Sequence, residues 1–396
     1  MFSNEMYELG AASSVIREIF EYGKKRSAEI GRDNVFDFSL GNPSVPAPKQ
    51  VNEAIRELLD TMESTELHGY TSAVGDFGVR KSIADYLNKT YDTSFHANNF
   101  YMTCGAAASL TITFKALCEK DDEIIMFAPF FPEYQVFAKT AGMKTVVVLC
   151  DSDTLQIDLD AFEKAVTEKT KAVIVNSPNN PSGVVASEDT VLGLCHILKS
   201  KQEEYGHSIF LISDEPYREL TYGDVKVPYL TKYYDNTIVC YSFSKSLSLP
   251  GERIGYILVP DEVENSASLY KAVCGAGRSM GFVCAPSLMQ FIIPKCIGHT
   301  ADISVYQKNR DLLLDIFAEN GFEARKPDGA FYLFLKSPES DASAFCEKAK
   351  EYELLLVPSD SFGFPGYVRV ASCVSTDMIK RSADAFKQLA KAYRLI

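Results

Sequence analysis

Apolar positions between residues 100 and 260 fall into short unbroken runs separated by stretches with helical spacing. The runs are EIIMFA from 123, KTVVVL from 144, KAVIVN from 171, FLISD from 210, TIVCYS from 237 and IGYILV from 254. Strands covered on both faces read as continuous aliphatic runs rather than as strict alternation, so this pattern predicts an α/β unit on a mainly parallel sheet. Helices are expected in the gaps, over 110–116, 131–141 and 190–201, where Gly or Asn stands near the stops.

From about Pro286 the texture changes to two long helical patterns around a few strands: GAFYLFL from 329, LLLVP from 354 and YVRVA from 367. The last helix carries Met378, Ile379, Ala383, Phe386, Ala390 and Tyr393 at three- and four-residue spacing, which is an amphipathic face. This predicts a smaller α+β domain. The N-terminal stretch, a helix over 14–30 followed by VFDFSLGNPS as a lone strand, is expected to join it. The organisation read from pattern is therefore a large domain over 49–285 and a small domain made of 1–48 with 286–396.

Composition narrows the chemistry. A hydrophobic share of 46% over 396 residues suffices for a large core. The formal charge of −13 argues against nucleic acid and anionic membranes, whose partners usually carry a basic patch. Ten cysteines without CxxC pairs and only five histidines point to neither a zinc site nor a disulfide framework, so no metal is expected. Most of the cysteines lie in apolar runs, as they do in a reducing compartment. The N-terminal MFSNEMYELG has no basic region followed by an apolar one, and no run approaches the roughly 20 residues needed to span a bilayer. A cytoplasmic protein is the expectation.

The chemistry gathers where strands end. In open parallel sheets ligands bind beyond the carboxyl ends of the strands. Residues 176–183 follow one strand, 214–217 another and 242–245 a third, while Gly105 precedes a helix after FYMT. Within YSFSKSLSLPGERIGY from 241, Lys245 is expected at the end of a strand. There it is either a solvated surface charge or a desolvated amine able to attack an aldehyde. Ser242 and Arg253 flank it with a hydroxyl and a two-pronged donor suited to a phosphate dianion.

Taken in order, LGNP at 40, HGYTSAVGDFGVRKSIADYL at 68, TCGAAASL at 103, APFFPEY at 128, NSPNNPSG at 176, SDEPY at 213, SFSK at 242, GERIGY at 251, GAFYLF at 329 and YVRVAS at 367 span almost the whole chain. Together they resemble the pyridoxal-phosphate aminotransferases of fold type I, class I/II, of the aspartate aminotransferase type. The resemblance implies that Lys245 forms the imine with pyridoxal 5′-phosphate and moves a proton between the substrate α carbon and the cofactor. It implies that Asp214 faces the pyridine nitrogen, that Tyr217 and Asn180 bond the phenolic oxygen, and that Phe131 stacks on the ring. Gly105, Ala106 and Ala107 would offer backbone amides to the phosphate, joined by Ser242 and Arg253. Ser244 counts as a weaker phosphate ligand, because on a strand its side chain would alternate with that of Lys245. Tyr134 is a further wall candidate or a core residue.

Arg369 matches the arginine that takes the substrate α-carboxylate through a fork, with Asn180 and the backbone at Gly41 assisting. Tyr70 matches a tyrosine that reaches the phosphate of the neighbouring subunit, which implies a homodimer. Arg278 lies about where one subgroup supplies a second cation for dicarboxylic substrates across the dimer. Ala107 and Ala108 lack the polar side chains that other subgroups place nearby. The implied function is transfer of an amino group from an L-amino acid to a 2-oxo acid, with an aspartate-type donor in view. Three alternatives stay open: a lyase such as a C–S β-lyase on the same fold; a nicotinamide enzyme, supported only by the poorly spaced glycines of GAGRSMG; and a non-enzymatic binding protein on this fold.

Overall fold

Why the chain forms these elements is clearest at its centre, where β-branched runs become buried strands. The computed structural model describes residues 2–11 and 14–396. The strands are β1 (Phe36–Asp37), β2 (Phe100–Thr103), β3 (Glu123–Ala128), β4 (Lys144–Leu149), β5 (Thr170–Asn176), β6 (Phe210–Asp214) and β7 (Thr237–Ser242). They continue as β8 (Gly255–Leu258), β9 (Ala324–Arg325), β10 (Tyr332–Lys336), β11 (Leu354–Leu355), β12 (Val357–Pro358) and β13 (Tyr367–Ala371).

A seven-stranded sheet has the order β2-β8-β7-β6-β5-β3-β4. Pairing is parallel from β4 through β7, whereas β8 runs against both its neighbours. The mainly parallel sheet expected from the run pattern is thus present, with one reversed strand. Successive side chains point to opposite faces. Ile124, Met126 and Ile174 pack with Ile112 and Phe114 of the helix Ala106–Leu117 on one side. Ile125, Val173 and Leu211 pack with Leu194 and Leu198 of the helix Glu188–Tyr205 on the other. Burying one such side chain contributes about 1.5–3 kcal/mol, so the continuous runs hold the sheet between its helices.

A second sheet, β12-β13-β10-β9, is antiparallel throughout. Its core joins Val368 and Val370 to Leu313 and Phe317 of the helix Ile303–Glu319 and to Phe386 and Leu389 of the helix Thr376–Ala392. Residues 35–39 do not form a lone strand. Phe36 and Asp37 pair in parallel with Leu354 and Leu355, and Phe38 is buried in this second core.

The expected boundary at 285/286 falls too early for the packing. The helix Ser287–Cys296 places Met289, Ile292, Ile293 and Cys296 in a core with Val51, Leu58 and Ile83 beside the large sheet. Its apolar spacing resembles that of the helices that follow, and only the surface it meets distinguishes them.

Among the described residues, no helix is long and apolar enough to cross a membrane. No cluster of three or more His, Cys, Asp or Glu among them could hold a metal.

Candidate active site

Side chains from both sheets line an open cavity. The large sheet contributes the carboxyl ends of β5, β6 and β7 and the opening of the helix Ala106–Leu117. The small sheet contributes Tyr332 from β10 and Arg369 from β13. Arg369 pairs with Phe334 across the antiparallel ladder, which puts Tyr332 on the diagonal of the same face.

Lys245 lies in a one-turn helix, Phe243–Ser246, directly after β7 rather than at the strand end itself. The Ser242 side chain accepts a hydrogen bond from the Ser244 backbone N–H and so turns the chain. Lys245 Nζ donates to the Gly41 carbonyl at 2.8 Å and lies 5.4 Å from the Phe331 ring centroid. Burial pulls its ammonium down from the ordinary lysine range to about 8; the Arg369 and Arg253 guanidiniums push the same way, opposed by Cys373.

Asp214 ends β6 with its carboxylate buried. Oδ2 accepts from the Tyr134 hydroxyl and, at 3.4 Å, from Asn176 Nδ2, while Oδ1 has no partner. Burial lifts this carboxyl to about 7; the Tyr134 hydrogen bond offsets part of the rise, and the Glu215 charge adds to it. Glu215, one residue on, instead pairs with the buried Arg218 at 2.7 Å. Arg218 also lies 4.4 Å from the Tyr241 ring centroid, and Tyr241 shares a 2.9 Å hydrogen bond with Ser246 of the one-turn helix. A buried polar chain therefore ties the 214–217 turn to the lysine's helix.

Tyr217 faces the cavity with its hydroxyl 3.1 Å from that of Tyr332. Burial drives the Tyr217 phenol well above its ordinary range, so it stays protonated at neutral pH. Asn180 Oδ1 accepts from Arg369 Nη1 at 3.1 Å, and Arg369 Nη2 donates to the Ser39 carbonyl. Arg369 is 2% exposed, its Nε has no partner, and its guanidinium carbon sits 4.7 Å from the Tyr332 ring centroid. A buried guanidinium held only by neutral acceptors and rings lacks the carboxylate that normally offsets its desolvation.

At the opposite end Gly105, at φ +91°, precedes the helix Ala106–Leu117 with no side-chain cap. A Cβ on Gly105 would stand 2.8 Å from Arg253 Nη2, so the missing side chain is what lets the guanidinium approach. Ala106, Ala107, Ser242 and Arg253 line the cavity here, with free helix N–H groups suited to an anion. Ser244 lines it too, its Oγ 2.6 Å from that of Ser242. Strand alternation was the ground for ranking it low, and within a helical turn that ground disappears. Phe131 forms a wall, edge-on to Tyr134 at 5.7 Å and 84°.

Gly41, Asn180, Asp214, Tyr217, Lys245 and Arg369 are thus brought to one cavity, with Phe131 and the 105–107, 242 and 253 group around it. Tyr70 and Arg278 are not on its wall in this chain; Tyr70 is 98% exposed, and Arg278 is exposed in the last turn of the helix Ser266–Ser279. Their neighbourhoods touch each other: Cys284 N donates to the Ala73 carbonyl at 3.3 Å, and Gln290 Nε2 to Thr71 Oγ1 at 3.0 Å. Pattern reasoning left Tyr134 between wall and core and gave Asn176 and Tyr332 no task. Tyrosines in apolar runs look like core until a charged neighbour is seen.

The family model described as aminotransferase class I and II matches residues 33–386. An aspartate aminotransferase from Thermotoga maritima is 28% identical over 377 residues, covering 93% of this chain and 95% of its own. A probable N-acetyl-LL-diaminopimelate aminotransferase from Bacillus subtilis is 28% identical, over 89% of this chain and 88% of its own. Among solved structures, an amino transferase from Eubacterium rectale superposes with a TM-score of 0.97 at 57% identity, covering 99% of each chain. A strand-end cavity with a buried lysine and a match over nine-tenths of the sequence lead to one conclusion: the chain belongs to the class I and II aminotransferases.

Proposed function

We propose that Lys245, Asp214 and Tyr217 carry the chemistry, that Asn180 and Arg369 hold the substrate with the backbone at Gly41, and that the 105–107 turn, Ser242 and Arg253 hold the cofactor phosphate. Family membership makes the chain a pyridoxal-phosphate-dependent transaminase acting on an amino acid and a 2-oxo acid. One observation carries the assignment of roles. Two buried polar atoms of opposite sign, Asp214 Oδ1 and Arg369 Nε, lack partners at separate points of the cavity that holds Lys245. Buried groups of this kind are costly unless a ligand satisfies them. The pair calls for a ligand with a donor at one end and a carboxylate at the other. The cofactor ring and the amino acid together supply both.

The residues fit the cofactor on the chain's own geometry. Gly105 leaves the space that a side chain would fill beside Arg253, and the Asp214 carboxylate has an oxygen free for a pyridine N–H. Bound there, pyridoxal phosphate supplies the electron sink that lets the α C–H bond ionise. The protein's part is binding and proton handling. Arg369 grips the α-carboxylate through two parallel N–H bonds, which orients the α carbon toward Lys245 more tightly than a point charge would. Lys245, brought down to about 8 by burial, holds a substantial neutral fraction near pH 8 and so can take and return a proton there. Asp214 as an anion keeps a proton on the ring nitrogen. Tyr217 and Asn180 hydrogen-bond the phenolic oxygen, and Phe131 covers one ring face while excluding water.

A homodimer completes the reading, with Tyr70 of the partner subunit at the phosphate and Arg278 of the partner subunit near the substrate side chain. Aspartate is the first donor to test, because several relatives are named aspartate aminotransferases. A cytoplasmic location belongs to the same proposal.

The test is the visible spectrum of the cofactor-loaded protein mixed with aspartate, glutamate, alanine and an aromatic amino acid in turn. A visible band that one donor bleaches and a 2-oxo acid restores supports transamination and names the donor. Bleaching with release of pyruvate or ammonia and no return would point to a lyase. A visible band that survives in Lys245→Ala, with free cofactor removed, would overturn the lysine assignment.

A further inference from the structure

Tyr332 touches three functional parts of the cavity at once. Its hydroxyl is 3.1 Å from that of Tyr217, and its ring lies 4.7 Å from the Arg369 guanidinium carbon. The same hydroxyl caps Gly41 so closely that a Cβ there would stand 1.8 Å from it. Gly41 is the residue whose carbonyl receives Lys245 Nζ. Tyr332 is 2% exposed, and among the described residues Tyr217 is its hydroxyl's one hydrogen-bond partner.

Either hydroxyl can donate in that bond, and counting protons ties its direction to the ligand. Two phenols at this distance share one proton between their oxygens and leave the other to point elsewhere. If Tyr217 donates to Tyr332, Tyr217 shows the cavity only a lone pair. If Tyr332 donates to Tyr217, the Tyr217 proton is free to turn into the cavity toward an acceptor on the ligand. An unmade hydrogen bond in a buried site is penalised by the full desolvation of the group, so an acceptor at that point selects the second arrangement.

We propose that Tyr332 is a positioning residue: by donating to Tyr217 it fixes the Tyr217 hydroxyl as a donor toward the phenolic oxygen of bound pyridoxal phosphate, while its ring carries the Arg369 guanidinium. The proposal rests on the role given to Tyr217 and goes beyond it by naming what orients that hydroxyl. A ring beneath a buried guanidinium restrains its plane without consuming the N–H groups needed for a carboxylate. One side chain thereby serves the electronics of the cofactor with its oxygen and the placement of the substrate with its ring.

The experiment is a pH titration of the visible absorption band of the cofactor-loaded protein in four forms: wild type, Tyr332→Phe, Tyr217→Phe and the double variant. A donor to the phenolic oxygen stabilises the form in which that oxygen bears the most negative charge, which is the form lacking the imine proton. Weakening the donor therefore raises the midpoint. Tyr332→Phe should raise it by about 0.5–1 pH unit, the worth of one neutral hydrogen bond. Tyr217→Phe should raise it at least as far, and the double variant should match Tyr217→Phe, since Tyr332 acts through Tyr217.

Additive shifts in the double variant, or a Tyr332→Phe midpoint equal to wild type while Tyr217→Phe moves, would overturn the proposal and leave the Tyr217 role standing. An unmoved Tyr217→Phe midpoint would overturn both. The ring is tested separately: Tyr332→Leu should raise the KM for the amino acid by about tenfold more than Tyr332→Phe does. Equal KM values in the two variants would overturn the ring's part.

Discussion

Asp214 and Glu215 are neighbours in sequence with different fates, because consecutive residues leaving a strand face opposite sides. Glu215 finds Arg218 and forms a buried ion pair, whereas Asp214 keeps one oxygen free and is lifted to about 7 by burial. Raised above its unfolded value near 3.8, this carboxyl makes the native state hold more protons than the unfolded state between those two values. Stability of the cofactor-free protein therefore falls as pH rises through that window. Cofactor-free Asp214→Asn should melt higher than wild type at pH 8, by on the order of 2–4 kcal/mol, with the advantage gone near pH 3.5. Equal melting temperatures at pH 8 would contradict a destabilising charge. At the other end, Arg369→Lys keeps the charge and loses the fork, so the KM for the amino donor should rise about 10–100-fold with the fold intact. Arg369 was legible because a charge inside an apolar run needs a reason, and Lys245 and Asp214 because they stand where strands end. The sequence left Tyr332 illegible, since a tyrosine in GAFYLF satisfies every rule for a core residue.

Between residue and molecule stands the helix Ala106–Leu117, whose unpaired N-terminal amides face the cavity from behind Gly105. Replacing Gly105 by Ala forces a side chain into φ +91° and against Arg253 Nη2. A strained backbone of this kind costs about 1–3 kcal/mol. Gly105→Ala should accordingly weaken cofactor binding at least about tenfold in an absorbance titration of the cofactor-free protein, with a lowered melting temperature. Unchanged affinity would show that the turn does not hold the phosphate. Strands β3, β5, β6 and β7 were readable because each is a run buried on both faces, and β4 at the sheet edge carries the same kind of run although most of it is exposed. Of the two-residue strands, β9 was not read, since so short a piece carries no period, while β1 lies in the stretch read as a lone strand and β11 and β12 divide the single run LLLVP. Nor could pattern reveal that Lys245 lies in a helical turn: the switch depends on one Ser242 side chain accepting a backbone N–H.

Across the whole molecule each sheet has its own core, Phe334 of β10 reaching into that of the large sheet, and the cavity lies where the two sheets meet. Composition and run pattern exposed the change of texture but misplaced its position, because the helix Ser287–Cys296 is assigned by what it packs against and not by its own spacing. Several contacts cross the join: Arg369 to Asn180, Lys245 to the Gly41 carbonyl, Tyr217 to Tyr332, Tyr222 to the Ala330 carbonyl and Phe130 N to the Phe362 carbonyl. Two masses of stone so joined stand without mortar, but the gap at Asp214 and Arg369 stays open until a ligand fills it. In calorimetry the cofactor-free protein should melt in one transition, and saturating cofactor with a dicarboxylate analogue should move that transition later, since a ligand bound only by the folded chain stabilises it. An unmoved transition would mean that no ligand fills the gap. If it moves, the cell's supply of cofactor sets how much of this chain stays folded as well as how fast it turns over.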